Sequence, residues 1–300
     1  MEIIKVVPRG YCQGVVRAIR MARETVENYP GVPISMLGMI VHNRFVVEEC
    51  ERLGIRSIEA NDKTRLDLLD EINEGVVIFT AHGVCDAVAE KARRKGLIIV
   101  DATCPDVDKT HKLIREHTAH GDVLYIGKRN HPEAEGALGI SERVHLIASP
   151  SDLDALGSLQ DVLITNQTTL SMLDNEELIN LCLARYPHAK VSSEICNATT
   201  MRQKAVMNLQ DVDLLIVVGD PHSNNSKQLR EIGRKAGISE ALLIETAKEL
   251  NEDLVRNKNR IAVTAGSSTP TVLTNAVITT LERYASTGEF RIEEVSAPVL

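Results

Sequence analysis

Aromatic residues are scarce in this chain: its 300 residues include no tryptophan, three phenylalanines and five tyrosines. A binder of single-stranded nucleic acid stacks bases on aromatic side chains, and few are available here. Basic charge is short as well. The 34 Lys and Arg stand against 42 Asp and Glu, a formal charge of -8, whereas binding to a phosphate backbone needs a basic stripe. No apolar run approaches the roughly 18 residues of a membrane span, and the first twelve residues lack a basic segment followed by a long apolar stretch. A cytoplasmic protein with no nucleic-acid or membrane partner is expected. Low-complexity tracts and Gly/Ser linkers are missing too, so its parts should pack together. There is no C-x-x-C to announce zinc or an iron-sulfur cluster by spacing alone. No Walker loop or G-x-G-x-x-G pattern indicates a nucleotide.

What is present is an ordinary globular composition, 43% apolar and 25% charged, long enough for two or three compact units. Short Val/Ile/Leu-rich runs lie at 3–7, 34–41, 76–80, 97–100, 123–126, 144–147, 162–165, 214–218, 242–244 and 261–264. Most are continuous, the pattern of strands buried on both faces of a sheet. Helical patterns alternate with them, for example Val15, Ile19, Ala22 and Val26 on one face, ended by Pro30-Gly31. The alternation predicts an α/β fold. Three of the six cysteines, Cys12, Cys104 and Cys196, are each 92 residues from the next. That rhythm suggests three α/β domains, at 1–103, 104–195 and 196–284, with a C-terminal tail at 285–300 whose end, 290–300, packs back on the first domain or hangs free.

Cys104 precedes Pro105, which favours the first helical position and puts the thiol at a helix start, where the thiolate is favoured. Cys12 has a similar setting, and Cys196 lies just ahead of Thr200 and Gln203, which read as a capping box. Each cysteine taken alone reads equally well as a small buried residue, and Cys50, Cys85 and Cys182 read as core. His42 and His82 follow strand-like runs, at the edge where open α/β sheets bind ligands. His131 and Glu133 flank Pro132 at a helix start. A structural histidine and a carboxylate complementing a helix dipole are the plain alternatives. The histidines at 111, 117, 120, 145, 188 and 222 read as surface residues. Thr168-Thr169, Ser223-Asn224-Asn225 and Ser267-Ser268 follow three further strands. Each group caps a helix if taken singly, and collected at one edge they make a donor-rich anion site.

Eight stretches, in order along almost the whole chain, resemble the 4-hydroxy-3-methylbut-2-enyl diphosphate reductase family of the non-mevalonate isoprenoid pathway. They are Pro8-Arg9-Gly10-Tyr11-Cys12, Val41-His42-Asn43-Arg44, Ala81-His82-Gly83, Asp101-Ala102-Thr103-Cys104-Pro105, His131-Pro132-Glu133, Gln167-Thr168-Thr169-Leu170-Ser171, Ile195-Cys196-Asn197-Ala198-Thr199 and Ala265-Gly266-Ser267-Ser268. The resemblance implies a clover-like assembly of three α/β domains around a central cavity. It implies one 4Fe-4S cluster held by Cys12, Cys104 and Cys196, leaving one iron without a protein ligand to act as a Lewis acid at the substrate's hydroxyl. The family reaction removes that hydroxyl as water, with two electrons and two protons, giving isopentenyl and dimethylallyl diphosphate. It places Glu133 at the head of a proton relay with Thr168 beside the substrate oxygen. His42, His82, His131, Ser223, Asn225 and Ser268 would hold the diphosphate. The family usually shows two serines and an asparagine where this chain has Ser223-Asn224-Asn225, and Asn224 can donate to phosphate in the second serine's place. Tyr11 and Gln13 also depart slightly from the commonest pattern. An electron donor such as ferredoxin or flavodoxin is implied. Two other readings of the same residues are a zinc-dependent phosphate-ester hydrolase and a non-catalytic phosphometabolite-binding protein.

Overall fold

The computed structural model describes residues 1–60 and 62–295; residues 296–300, the end of the expected tail, lie outside the described residues. The chain divides into two compact units. One consists of Gly14–Val41 and Cys50–Cys196, the other of Met1–Gln13, His42–Glu49 and Asn197–Leu300.

The larger unit contains two four-stranded parallel sheets. The first is built from β2 (Ile34–Leu37), β3 (Ile55–Ile58), β4 (Val76–Phe79) and β5 (Ile98–Asp101), in the order β3-β2-β4-β5. The second holds β6 (Val123–Ile126), β7 (Val144–Ile147), β8 (Leu163–Asn166) and β9 (Lys190–Val191), in the order β7-β6-β8-β9. The smaller unit has one parallel sheet of β1 (Glu2–Lys5), β10 (Leu214–Val218), β11 (Glu240–Ile244) and β12 (Arg260–Ala265), in the order β11-β10-β12-β1. The expected α/β class is therefore what the chain adopts.

All three sheets share one plan. In the larger unit the first strand of each sheet in chain order lies second in the sheet, flanked by the next strand on one side and the third on the other, with a fourth strand closing the far edge, and β10, β11 and β12 take the first three of these places in the smaller unit. In the smaller unit that fourth place is taken by β1, whose residues Glu2 to Lys5 pair with Arg260 to Val263. The strand thus lies inside the expected first domain by sequence but hydrogen-bonds with the C-terminal strands. The central strands β4, Val76-Val77-Ile78-Phe79, and β10, Leu214-Leu215-Ile216-Val217-Val218, are apolar throughout and wholly buried. That is why their runs stand out in the sequence. Truncating a fully buried residue such as Ile216 to Ala costs about 2–5 kcal/mol.

The last helix, Thr271–Thr287, lays Leu273, Val277 and Leu281 on the core of the smaller unit and ends on Gly288 in the left-handed conformation. Beyond it Phe290 and Ile292 pack against the same core, and the Glu293 amide donates to Thr280 Oγ1 at 2.9 Å. The described part of the tail thus packs back on its own unit. Among the described residues no helix is long and apolar enough to cross a membrane.

Candidate active site

In a parallel sheet with this strand order the chain reverses direction between the first and third strands, and ligands bind outside their carboxyl ends. The loops after those strands are where the sequence puts its candidate residues. His42 follows β2 and His82 follows β4, His131 and Glu133 follow β6 and Thr168 follows β8, and Ser223 to Asn225 follow β10 and Ser268 follows β12. The three cysteines follow the fourth strands: Cys12 after β1, Cys104 after β5, Cys196 after β9. The 92-residue rhythm is the repeat of this plan, and none of the six cysteines is in a disulfide.

In the larger unit, six of these residues form one run of contacts. The Cys104 amide donates to the carbonyl of Ala81, next to His82, at 3.0 Å. Cys104 is the N-cap of the helix Pro105–Thr118, as its Pro105 predicts, so the thiol sits at the positive end of a helix dipole. His82 meets His131 edge-on, ring centroids 5.6 Å apart. His131 caps the helix Pro132–Leu138, its Nδ1 accepting from the Glu133 amide at 3.1 Å. In the neutral ring this assigns the proton to Nε2. Glu133 is 2% exposed. It accepts from the Thr168 amide at 2.7 Å and from Thr168 Oγ1 at 3.0 Å. Burial raises its pKa to about 7, outweighing the two Thr168 hydrogen bonds that lower it. The carbonyl of Thr168 in turn accepts from the Cys196 amide at 3.1 Å.

Further buried polar groups in this unit support these loops. Asn166, fully buried at the end of β8, donates to the Gln167 carbonyl and accepts from the Glu194 amide, two residues before Cys196. Gln167 Oε1 accepts from the Lys128 amide at 3.0 Å, tying the loop after β6 to the loop after β8. His111 is 3% exposed, not a surface residue, and His117 is buried too. His111 fills the space beside two glycines: a Cβ on Gly83 would stand 3.0 Å from its Cε1, and one on Gly136 3.1 Å. Gly83 also has φ +74°, so glycine is needed there on both counts. Burial lowers the pKa of His111 to about 4, keeping it neutral.

In the smaller unit the Cys12 amide donates to the Ser267 carbonyl at 3.1 Å, and Ser268 Oγ donates to the His42 carbonyl at 3.0 Å. The Arg44 amide donates to Asp220 Oδ2 and the His222 amide to Oδ1 of the same carboxylate, at 2.9 and 2.7 Å. The segment after His42 is thereby fastened to the Ser223 loop. Ser223 caps the helix Asn224–Lys235 by accepting from the Ser226 amide, and Asn224 and Asn225 are buried in its first turn. Arg202 donates to the carbonyl of Gly10 at 2.6 Å, fixing the turn before Cys12.

The helix after Cys196 is Asn197–Met207, so Thr200 and Gln203 lie within it and form no capping box. The helix thus starts four residues earlier than a cap at Thr200 would place it. Cys50 and Cys182 are buried as expected, the Cys182 thiol pushed up to about 11 by burial, whereas Cys85 is half-buried at a helix N-cap.

Residues 3–282 match the family described as LytB protein. A protein of Symbiobacterium thermophilum named 4-hydroxy-3-methylbut-2-enyl diphosphate reductase is 49% identical over 291 residues, covering 95% of this chain and 98% of its own. One of the same name from Brevibacillus brevis is 51% identical over 289 residues, covering 95% and 92%. Among solved structures, one described as the E-1-hydroxy-2-methyl-but-2-enyl-4-diphosphate reductase from Plasmodium falciparum superposes with a TM-score of 0.88 at 29% identity, covering 100% of this chain and 94% of its own.

Proposed function

This chain belongs to the LytB family, and on that premise we propose that it is the reductase its relatives are named for, converting an allylic diphosphate alcohol to isopentenyl and dimethylallyl diphosphate. The balance is one hydroxyl lost as water for two electrons and two protons gained. The observation that carries the reading is Glu133, a buried carboxyl whose proton is held to about pH 7 and which is bonded through both groups of Thr168.

Cys12, Cys104 and Cys196 are the ligands in this reading. Three thiols outside disulfides, each following the fourth strand of a sheet and directly preceding a helix, suit a cluster held by thiolates. When bound, one 4Fe-4S cluster supplies the electrons and an iron open to the substrate's hydroxyl oxygen.

The chain's own residues do the rest. Protonated Glu133 donates to Thr168 Oγ1, and that hydroxyl, both acceptor and donor, passes a proton to the substrate oxygen. Hydroxide is a poor leaving group, so this transfer is required before the C–O bond breaks. His131 donates through Nε2 to the diphosphate, joined by His42, His82, Ser223, Asn224, Asn225 and Ser268. Local donors make an anion site in a chain whose net charge is -8. We keep the three-domain division 1–103, 104–195 and 196–284, with β1 counted in the third. We place the protein in the cytoplasm, where thiols stay reduced, with ferredoxin or flavodoxin as electron donor. The hydrolase and binding-protein readings are not favoured, because the relatives named above are reductases.

Glu133→Gln tests the reading. Gln keeps the shape and both Thr168 contacts but holds no transferable proton. Anaerobic assay of the cluster-loaded variant should show substrate binding retained and turnover down about 10²–10⁴-fold. Turnover at the parent rate would refute the relay.

A further inference from the structure

Away from the loops after the strands, a second group of ligand-type side chains lies where the helix Pro105–Thr118 ends and β8 begins. His117 is in the last helical turn, His120 follows it, and Asp161 precedes β8. One ring nitrogen from each histidine and a carboxylate oxygen of Asp161 lie within 4.8 Å of one another. His120 Nε2 is 3.2 Å from Asp161 Oδ2, and the two rings meet with centroids 4.8 Å apart.

The surroundings hold this arrangement in place. His117 Nε2 donates to the carbonyl of Asp161, which fixes the imidazole and leaves Nδ1 as its metal-binding nitrogen. The amides of His120 and Gly121 both donate to the His117 carbonyl. A Cβ at Gly121 would come within 2.7 Å of His117 Nε2 and 2.2 Å of the Asp161 carbonyl oxygen, so only glycine lets these groups meet. Asp161 is held at φ +38°. Lys190 occupies its Oδ1 at 3.1 Å, while Oδ2 faces His120.

We propose that His117, His120 and Asp161 bind one divalent transition ion of the zinc class. Two imidazoles and a carboxylate match zinc's preferred nitrogen and oxygen ligands, with water in the fourth place, and offer too few oxygens for calcium or magnesium. Zinc bonds of about 2.0–2.1 Å put tetrahedral ligands roughly 3.3 Å apart. The His120–Asp161 pair already has nearly that separation. Both side chains are solvent-accessible, at 57% and 40% exposure, so an ion can reach them and they can close around it. The ion would fasten the carboxyl end of the helix that Cys104 starts to the amino end of the strand that Thr168 follows. It acts on stability, at the far end of both elements from the proposed chemistry.

The test uses tag-free, cluster-loaded protein prepared without oxygen, dialysed against zinc chloride and analysed for zinc and iron. The expected result is one zinc per chain, with the iron content unchanged and a higher thermal midpoint. His120→Ala and Asp161→Asn should lose both the zinc and the shift; asparagine tolerates the positive φ, so the fold is kept. His188→Ala, at an exposed histidine elsewhere, should keep both. Lys190→Ala should bind zinc at least as tightly, since a competing ammonium is gone. No zinc on the parent protein, zinc that enters only as iron leaves, or zinc unaffected by His120→Ala and Asp161→Asn would overturn the proposal.

Discussion

Glu133 and His111 are buried titratable groups whose burial moves them in opposite directions. Below about pH 4.5 Glu133 carries a proton in both the folded and unfolded chain. Between about 4.5 and 7 only the folded chain holds it, so this group's contribution to stability declines as pH rises through that window and is gone above it. A raised pKa of this size corresponds to about 3 kcal/mol. His111 runs the other way: the unfolded chain takes a proton below about 6.5, the folded one only near 4, so stability declines as pH falls through that range. Glu133→Gln should therefore be more stable than the parent at pH 8, by up to about 3 kcal/mol, and should keep a loss of stability on acidification from 6.5 to 4. Denaturant titrations across pH 4 to 8 measure both, and equal stabilities at pH 8 would show that Glu133 holds no extra proton. The placement of Glu133, Thr168 and His131 just after strands was legible because they sit in family motifs that follow apolar runs. His111 was misread as a surface residue because what buries it, Gly83 and Gly136, lies 28 and 25 positions away in the chain.

Strand ends hold the second layer of the account. Asn166 at the end of β8 serves Gln167, Asn175 and Glu194 at once. Asn166→Leu fits the space but leaves the Glu194 amide without its acceptor, and each buried group so orphaned costs about 1–3 kcal/mol. The variant should lose about 2–4 kcal/mol in chemical denaturation. It should also retain less iron than the parent, because the segment leading to Cys196 loses its anchor. Iron content equal to the parent would show that this anchor is dispensable. Among the cysteines, Cys104→Ser should lose iron and activity together, whereas Cys182→Ser, in the core, should lose stability alone. Among the described residues, ten of the twelve strands were legible as apolar-rich runs, most of them continuous. β3, Ile55-Arg56-Ser57-Ile58, is an edge strand with an exposed arginine, and β9 is two exposed residues, Lys190-Val191. Neither is buried on both faces, so neither leaves an apolar run to read.

At the scale of the whole chain, three copies of one sheet plan account for the equal cysteine spacing, and the N-terminal strand completes the C-terminal sheet. The spacing made the repeat visible, but the assignment of β1 was not, since nothing local in Glu2 to Lys5 says that its partner is some 258 residues away. Hydrogen exchange should protect the β1 amides together with those of β10 and β12; protection that tracks β2 to β5 would contradict the pairing. On the proposed reading these three cysteine loops serve one iron-sulfur reductase. The most direct measurement is iron, zinc and acid-labile sulfide content, with a visible spectrum, on protein purified without oxygen. Brown protein with about four irons and four sulfides per chain is expected, whether or not one zinc accompanies them. Protein that is colourless and free of iron and sulfide even after anaerobic reconstitution, with zinc or without it, would contradict it.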